Sequence, residues 1–157
     1  MYVGDFRDPA SLQEAFAQAR RLLLISTDNP GPDRVLLHRN AIDAAQKTGV
    51  DHVLYTSLSN PDATATCHVV ADHAHTEAYL QESDIPYTIL RNNIYAEPVP
   101  MLIANAFHNQ PIELPEDAPV AYVTRHDLAD ATAHLLMHGG YINEILDLTR
   151  LEALTIT

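Results

Sequence analysis

Short apolar runs alternate with amphipathic stretches along the chain. "RLLLIST" (21–27), "DHVLYTS" (51–57) and "PYTILR" (86–91) are each a few apolar residues bounded by polar or turn-forming ones, the pattern of buried strands. Asp8-Pro9 offers an N-cap acceptor followed by proline at the first helical position, and Leu12, Ala15, Phe16 and Ala19 then share one face. Residues 33–48 read as a second helix, with Val35, Ile42 and Ala45 inward and Gly49 as its stop. Residues 66–83 read as a third. Beyond "PYTILR" the pattern loosens: a short helix is expected over 98–107 and a strand or extended segment over 118–124. Thr124-Arg125-His126-Asp127 has capping-box spacing and opens a helix to about Met137, and "NEILDLT" (143–149) closes as a strand.

This alternation, with strands apolar on both faces, predicts a single domain over 1–157: an open, doubly wound, parallel α/β sheet of Rossmann-like type. Ligands of such sheets bind in the crevice beyond the carboxyl ends of the strands. Ser26-Thr27, Thr56-Ser57 and Asn92-Asn93 all fall at such ends. Small polar residues also simply stop strands, but three adjacent strands ending this way favour a site.

Composition narrows the partners. A formal net charge of −12 repels nucleic acid phosphates and anionic lipid, so neither is expected as a partner. No apolar run approaches the roughly 20 residues of a membrane span, and the first residues, MYVGDFRDPA, lack the pattern of a secretion signal. The single cysteine, Cys67, cannot form an internal disulfide and fits a reducing, cytoplasmic setting.

A dinucleotide fold needs a glycine-rich turn where phosphates approach the backbone. Gly4, Gly31, Gly49, Gly139 and Gly140 form neither that turn nor a P-loop. "VGDFRDPASLQEAFAQARRLLLIST", "NAIDAAQKTGVDHVLYTSLS" and "HTEAYLQESDIPYTILRNNIYAE" nevertheless resemble successive units of the NmrA-like proteins, an atypical branch of the short-chain dehydrogenases. Within it the likeness is to the NAD(P)H:quinone oxidoreductase type 2 group. The resemblance implies that the chain starts at the family's third strand, without the glycine turn. The strand at 21–26 would then be a hydrophobic edge, and self-association is expected.

The resemblance also implies an oxidoreductase using NADP(H), with NAD(H) as the alternative, on a small molecule such as a quinone or related carbonyl. Short-chain dehydrogenases use a Tyr-x-x-x-Lys pair as proton donor. With Glu77 aligned to the family's helix glutamate, these positions hold Val69 and His73, so carbonyl reduction by that acid is not expected. His73 is either the replacement proton shuttle or a helix-surface histidine. Asn92, Asn93, Ile94, Tyr95 and Glu97 are implied to border the nicotinamide and substrate, with Tyr95 stacking on the acceptor ring or merely covering the core. Ser26, Thr27 and Ser57 are implied cofactor contacts or caps. Arg125 either reaches an anionic cofactor or lies solvated in a first helical turn. His68, Asp72 and His75 share a helix face, but no fourth ligand stands out and a polar stripe is the expectation rather than a metal site. A regulator that binds NAD(P) without turnover is the alternative function.

Overall fold

The computed structural model describes residues 2–29, 32–100 and 119–154. Four parallel strands lie in the order β1 (Arg21–Leu24), β2 (His52–Leu58), β3 (Tyr87–Asn92), β4 (Glu144–Leu148). The helices are α1 (Pro9–Phe16), α2 (Arg34–Thr48), α3 (His68–Glu82) and α4 (Arg125–His138). The parallel α/β expectation therefore holds. The helix expected over 98–107 lies almost wholly outside the described residues, and 119–124 is extended with only isolated bridges.

Helix starts follow the capping chemistry. Asp8 accepts from the backbone N–H groups of Ala10 and Ser11, and Thr124 accepts from that of Asp127. Gly49 ends α2 at φ +74°, a left-handed conformation in which a Cβ is disfavoured. The alternation of side chains across the sheet divides the core. Val53, Tyr55 and Ile89 face a cluster with Leu12, Ala41, Ile42, Ala45 and Leu80 from α1, α2 and α3. Full burial of aliphatic side chains such as these contributes roughly 1.5–3 kcal/mol each. Leu54 and Leu90, also fully buried, alternate to the opposite face. Helix α4 approaches β1. Nη1 of Arg21 donates to the carbonyls of Leu136 and Met137 at 2.9 and 2.7 Å, which caps the negative end of α4. A Cβ at Gly139 would come within 2.7 Å of Nη2 of Arg21, so the clamp needs that glycine.

Two differences from the expectation have plain causes. Strand β1 stops at Leu24 because the N–H of Ser26 donates to the Thr56 side chain at 3.0 Å, not to a β2 carbonyl. Strand β4 is mostly exposed rather than apolar on both faces, with β3 as its one strand partner among the described residues. Strand β1 likewise has only β2 beside it there.

Candidate active site

Because the strands are parallel, β1, β2 and β3 end at one edge of the sheet. Their polar tips meet there in a cleft of about 560 Å³. The carboxyl end of β2 contributes Thr56, Ser57 and Leu58, the segments after β1 and β2 contribute Ser26, Ser59 and Asn60, and the end of β3 with the segment after it contributes Asn92, Asn93, Ile94 and Tyr95. Arg34 from α2, with Val70 and His73 from α3, complete the wall. Asn60 turns the chain at φ 53°, a left-handed conformation that asparagine tolerates better than most residues.

Ser57 is buried, and its hydroxyl donates to Oε1 of Glu77 at 2.6 Å. Arg91 grips the same carboxylate through Nε at 3.1 Å and Nη2 at 2.7 Å, a bidentate pair on the back of the cleft. That pairing pushes the pKa of the Arg91 guanidinium up.

His73 is only 4% exposed, so it is not a surface histidine. Nη2 of Arg34 donates to its Nε2 at 3.1 Å, which leaves the ring proton on Nδ1, 2.8 Å from the Tyr55 hydroxyl. Burial, reinforced by the Arg34 charge, pulls the His73 pKa down to about 4. His38 is set the same way. Its Nε2 accepts from the Thr27 N–H at 3.0 Å, its Nδ1 faces Thr76 at 3.0 Å, and burial lowers its pKa to about 4. Both rings are neutral near pH 7. Burial also raises the Tyr55 pKa, so that hydroxyl stays protonated.

The loop after β3 is pinned from both sides. The Asn93 N–H donates to the Leu148 carbonyl and its side-chain amide to the Thr149 hydroxyl, while Tyr95 bridges to Val123. Tyr95 and Ile94 keep exposed surface toward the cleft mouth, at 41% and 57%. Oδ1 of Asn92 is buried without a partner among the described residues.

The cleft thus gathers Ser26, Ser57, His73, Asn92, Asn93, Ile94 and Tyr95 from the sequence expectation. Three expected residues do not line it. The Thr27 N–H donates to Nε2 of His38, and its hydroxyl accepts from the Asn29 N–H. Glu97 accepts from the Arg125 N–H at 2.7 Å and faces the Arg125 side chain at 3.6 Å, so these two meet each other at the start of α4. The Arg125 N–H bond holds the Glu97 carboxyl below the usual range. Arg34, Ser59, Asn60 and Val70 were not expected. A signal for Arg34 existed: a cation in the first turn of a helix opposes the macrodipole and calls for a reason. Among the described residues no group of three His, Cys, Asp or Glu side chains is placed to hold a metal ion. No helix there is long and apolar enough to cross a membrane.

A family model described as NAD(P)H-binding matches residues 1–139. The chain belongs to this NAD(P)H-binding family. It is 36% identical over 156 residues to an NmrA-like family domain-containing oxidoreductase of Aspergillus flavus, covering 96% of this chain and 51% of the relative. It is 36% identical over 155 residues to quinone oxidoreductase 2 of Escherichia coli, covering 98% and 54%. The structure of that quinone oxidoreductase with NADPH superposes with a TM-score of 0.88 at 35% identity, over 98% of this chain and 54% of the other. Citrobacter triphenylmethane reductase with NADP(H) gives 0.82 at 31%, over 98% and 55%. The chain spans about half the length of the curated relatives it matches.

The residues present fit a nicotinamide nucleotide. The cleft offers hydroxyls for ribose, and Asn92 Oδ1 is a buried acceptor awaiting an N–H or O–H. Among the described residues no glycine lines it.

Proposed function

We propose that this chain belongs to an NADPH-dependent reductase whose acceptor is a quinone. The reading rests on one observation: the polar tips of three parallel strands converge with the pinned Asn92–Tyr95 loop in a single cleft. The family match and the relatives seen with NADPH supply the cofactor class. When bound, NADPH supplies a hydride, which is two electrons and one proton's worth of hydrogen.

The chain's own residues then have separable tasks. Asn93 and its bonds to Leu148 and Thr149 hold the loop in place. Tyr95 offers a ring face to an aromatic acceptor, and Ile94 and Leu58 keep water from that wall. His73 does not release a proton to the acceptor in this arrangement, because its one proton faces Tyr55 and its lone pair holds Arg34. The proton that completes the hydroquinone comes from water at the open side of the cleft.

The test is nicotinamide fluorescence on titration with NADPH, followed by NADPH oxidation with menadione. Saturable binding and quinone-dependent oxidation support the reading. Binding without oxidation would instead point to a sensor of NAD(P) that acts through a protein partner. No binding would remove the cofactor assignment for this chain.

A further inference from the structure

We propose that Arg34 is the anion-binding residue of the cleft, its guanidinium taking a negatively charged oxygen of the ligand. The inference rests on the cleft being the ligand site, as proposed above.

Arg34 is 7% exposed. A buried charge is costly unless it is paired, and natural interiors pair it. Yet Arg34 makes no ion pair with any carboxylate among the described residues. Its bonds there go to neutral groups: His73 Nε2 at 3.1 Å and Ser26 Oγ at 3.4 Å. Its Nε is buried with no partner among the described residues. Glu77 cannot serve, because Arg91 and Ser57 occupy its carboxylate.

The surroundings add to the positive potential. Arg34 is the first residue of α2, and the Asp33 side chain makes no cap bond there. The positive end of the helix dipole thus reinforces the guanidinium. Among the described residues no acidic side chain lines the cleft. The neutral His73 ring orients the guanidinium without offsetting its charge. A cation held in place, desolvated and unneutralised, is a preformed receptor for an anionic oxygen.

Two sources have this chemistry. A quinone that has accepted a hydride carries negative charge on a phenolic oxygen until water protonates it. A phosphate of the cofactor is the other source.

The experiment observes the Arg34 Nε–H resonance of the ¹⁵N-labelled full chain, assigned with Arg34→Lys. Benzoate, its neutral counterpart benzamide, and inorganic phosphate are titrated separately. A saturable shift with benzoate and not with benzamide is expected, with affinity falling about tenfold or more in Arg34→Gln. A shift with phosphate alone also supports an anion site and assigns it to the cofactor. No shift with either anion, or an equal shift with benzamide, overturns the proposal. The wild-type titration stands even where Arg34→Gln fails to fold. Menadione-dependent NADPH oxidation is measured in parallel. Turnover without an anion at Arg34 sinks this proposal alone, and anion binding without turnover sinks the reductase reading alone.

Discussion

The hydroxyl of Ser57 sits 2.6 Å from Oε1 of Glu77, so a strand tip facing the cleft is bonded to a carboxylate on the helix behind it. Glu77 is 4% exposed, and Arg91 completes its coordination. Replacing Glu77 with Gln removes the charge that matches Arg91 and weakens the bond from Ser57. A loss of about 2–4 kcal/mol in unfolding free energy is expected, at the lower end because Arg91 reaches some solvent. Ser57→Ala leaves the ion pair intact and is expected to cost about 1 kcal/mol. Urea denaturation of the two variants measures the difference.

Acid is expected to destabilise the fold before the carboxylates titrate. His38 and His73 have pKa values of about 4 in the folded chain, below the ordinary 6.5, chiefly because both are buried. The unfolded chain therefore binds protons at these rings first as pH falls. Their contribution to stability is complete above about 6.5 and is lost progressively down to about 4, on the order of 1.4 kcal/mol per pKa unit. Thermal melts between those pH values should show a falling midpoint. His38→Gln should flatten the profile, whatever its own midpoint.

Tyr95 is half-exposed and carries little of the core. Tyr95→Ala should leave the melting temperature nearly unchanged. If the ring stacks on the acceptor, KM for menadione should rise about fivefold to tenfold, the worth of roughly 1–1.5 kcal/mol. Steady-state kinetics at saturating NADPH reads this directly, and an unchanged KM would remove Tyr95 from the acceptor's path.

Glu97→Ala strips α4 of the acceptor that meets the Arg125 N–H. The expected result is a lower melting temperature with unchanged NADPH affinity. A loss of NADPH affinity without a change in melting would return Glu97 to the cofactor site.

The strand ends were legible because three apolar runs each break into hydroxyl or amide residues, and a parallel sheet must bring those breaks to one edge. Asp8, Gly49 and Thr124 were legible because caps are local chemistry. Arg34 was only half legible: a cation in a first turn calls for a reason, but the reason is not local. A first-turn arginine reads as solvated until His73, distant in sequence, is found against it. Glu97 and Arg125 were expected at the cofactor for a similar reason. Their pairing depends on how the segment after β3 returns to α4, which no periodicity encodes. His73 stood at a position where the resemblance implied chemistry, and only its two bonds reveal that neither nitrogen is free.

The Arg21 clamp sets an order of assembly. Its partners lie 115 and 116 residues further along the chain, at the last turn of α4. On a ribosome, β1, β2, β3 and the helices between them emerge while those carbonyls do not yet exist. The cleft's main walls can therefore form early, whereas β1 gains the Arg21 clamp only when the end of α4 arrives. Until then, among the described residues, β1 is held by β2 and the α-helical face. A nascent chain stalled before residue 136 is thus a species in which β1 lacks the Arg21 clamp.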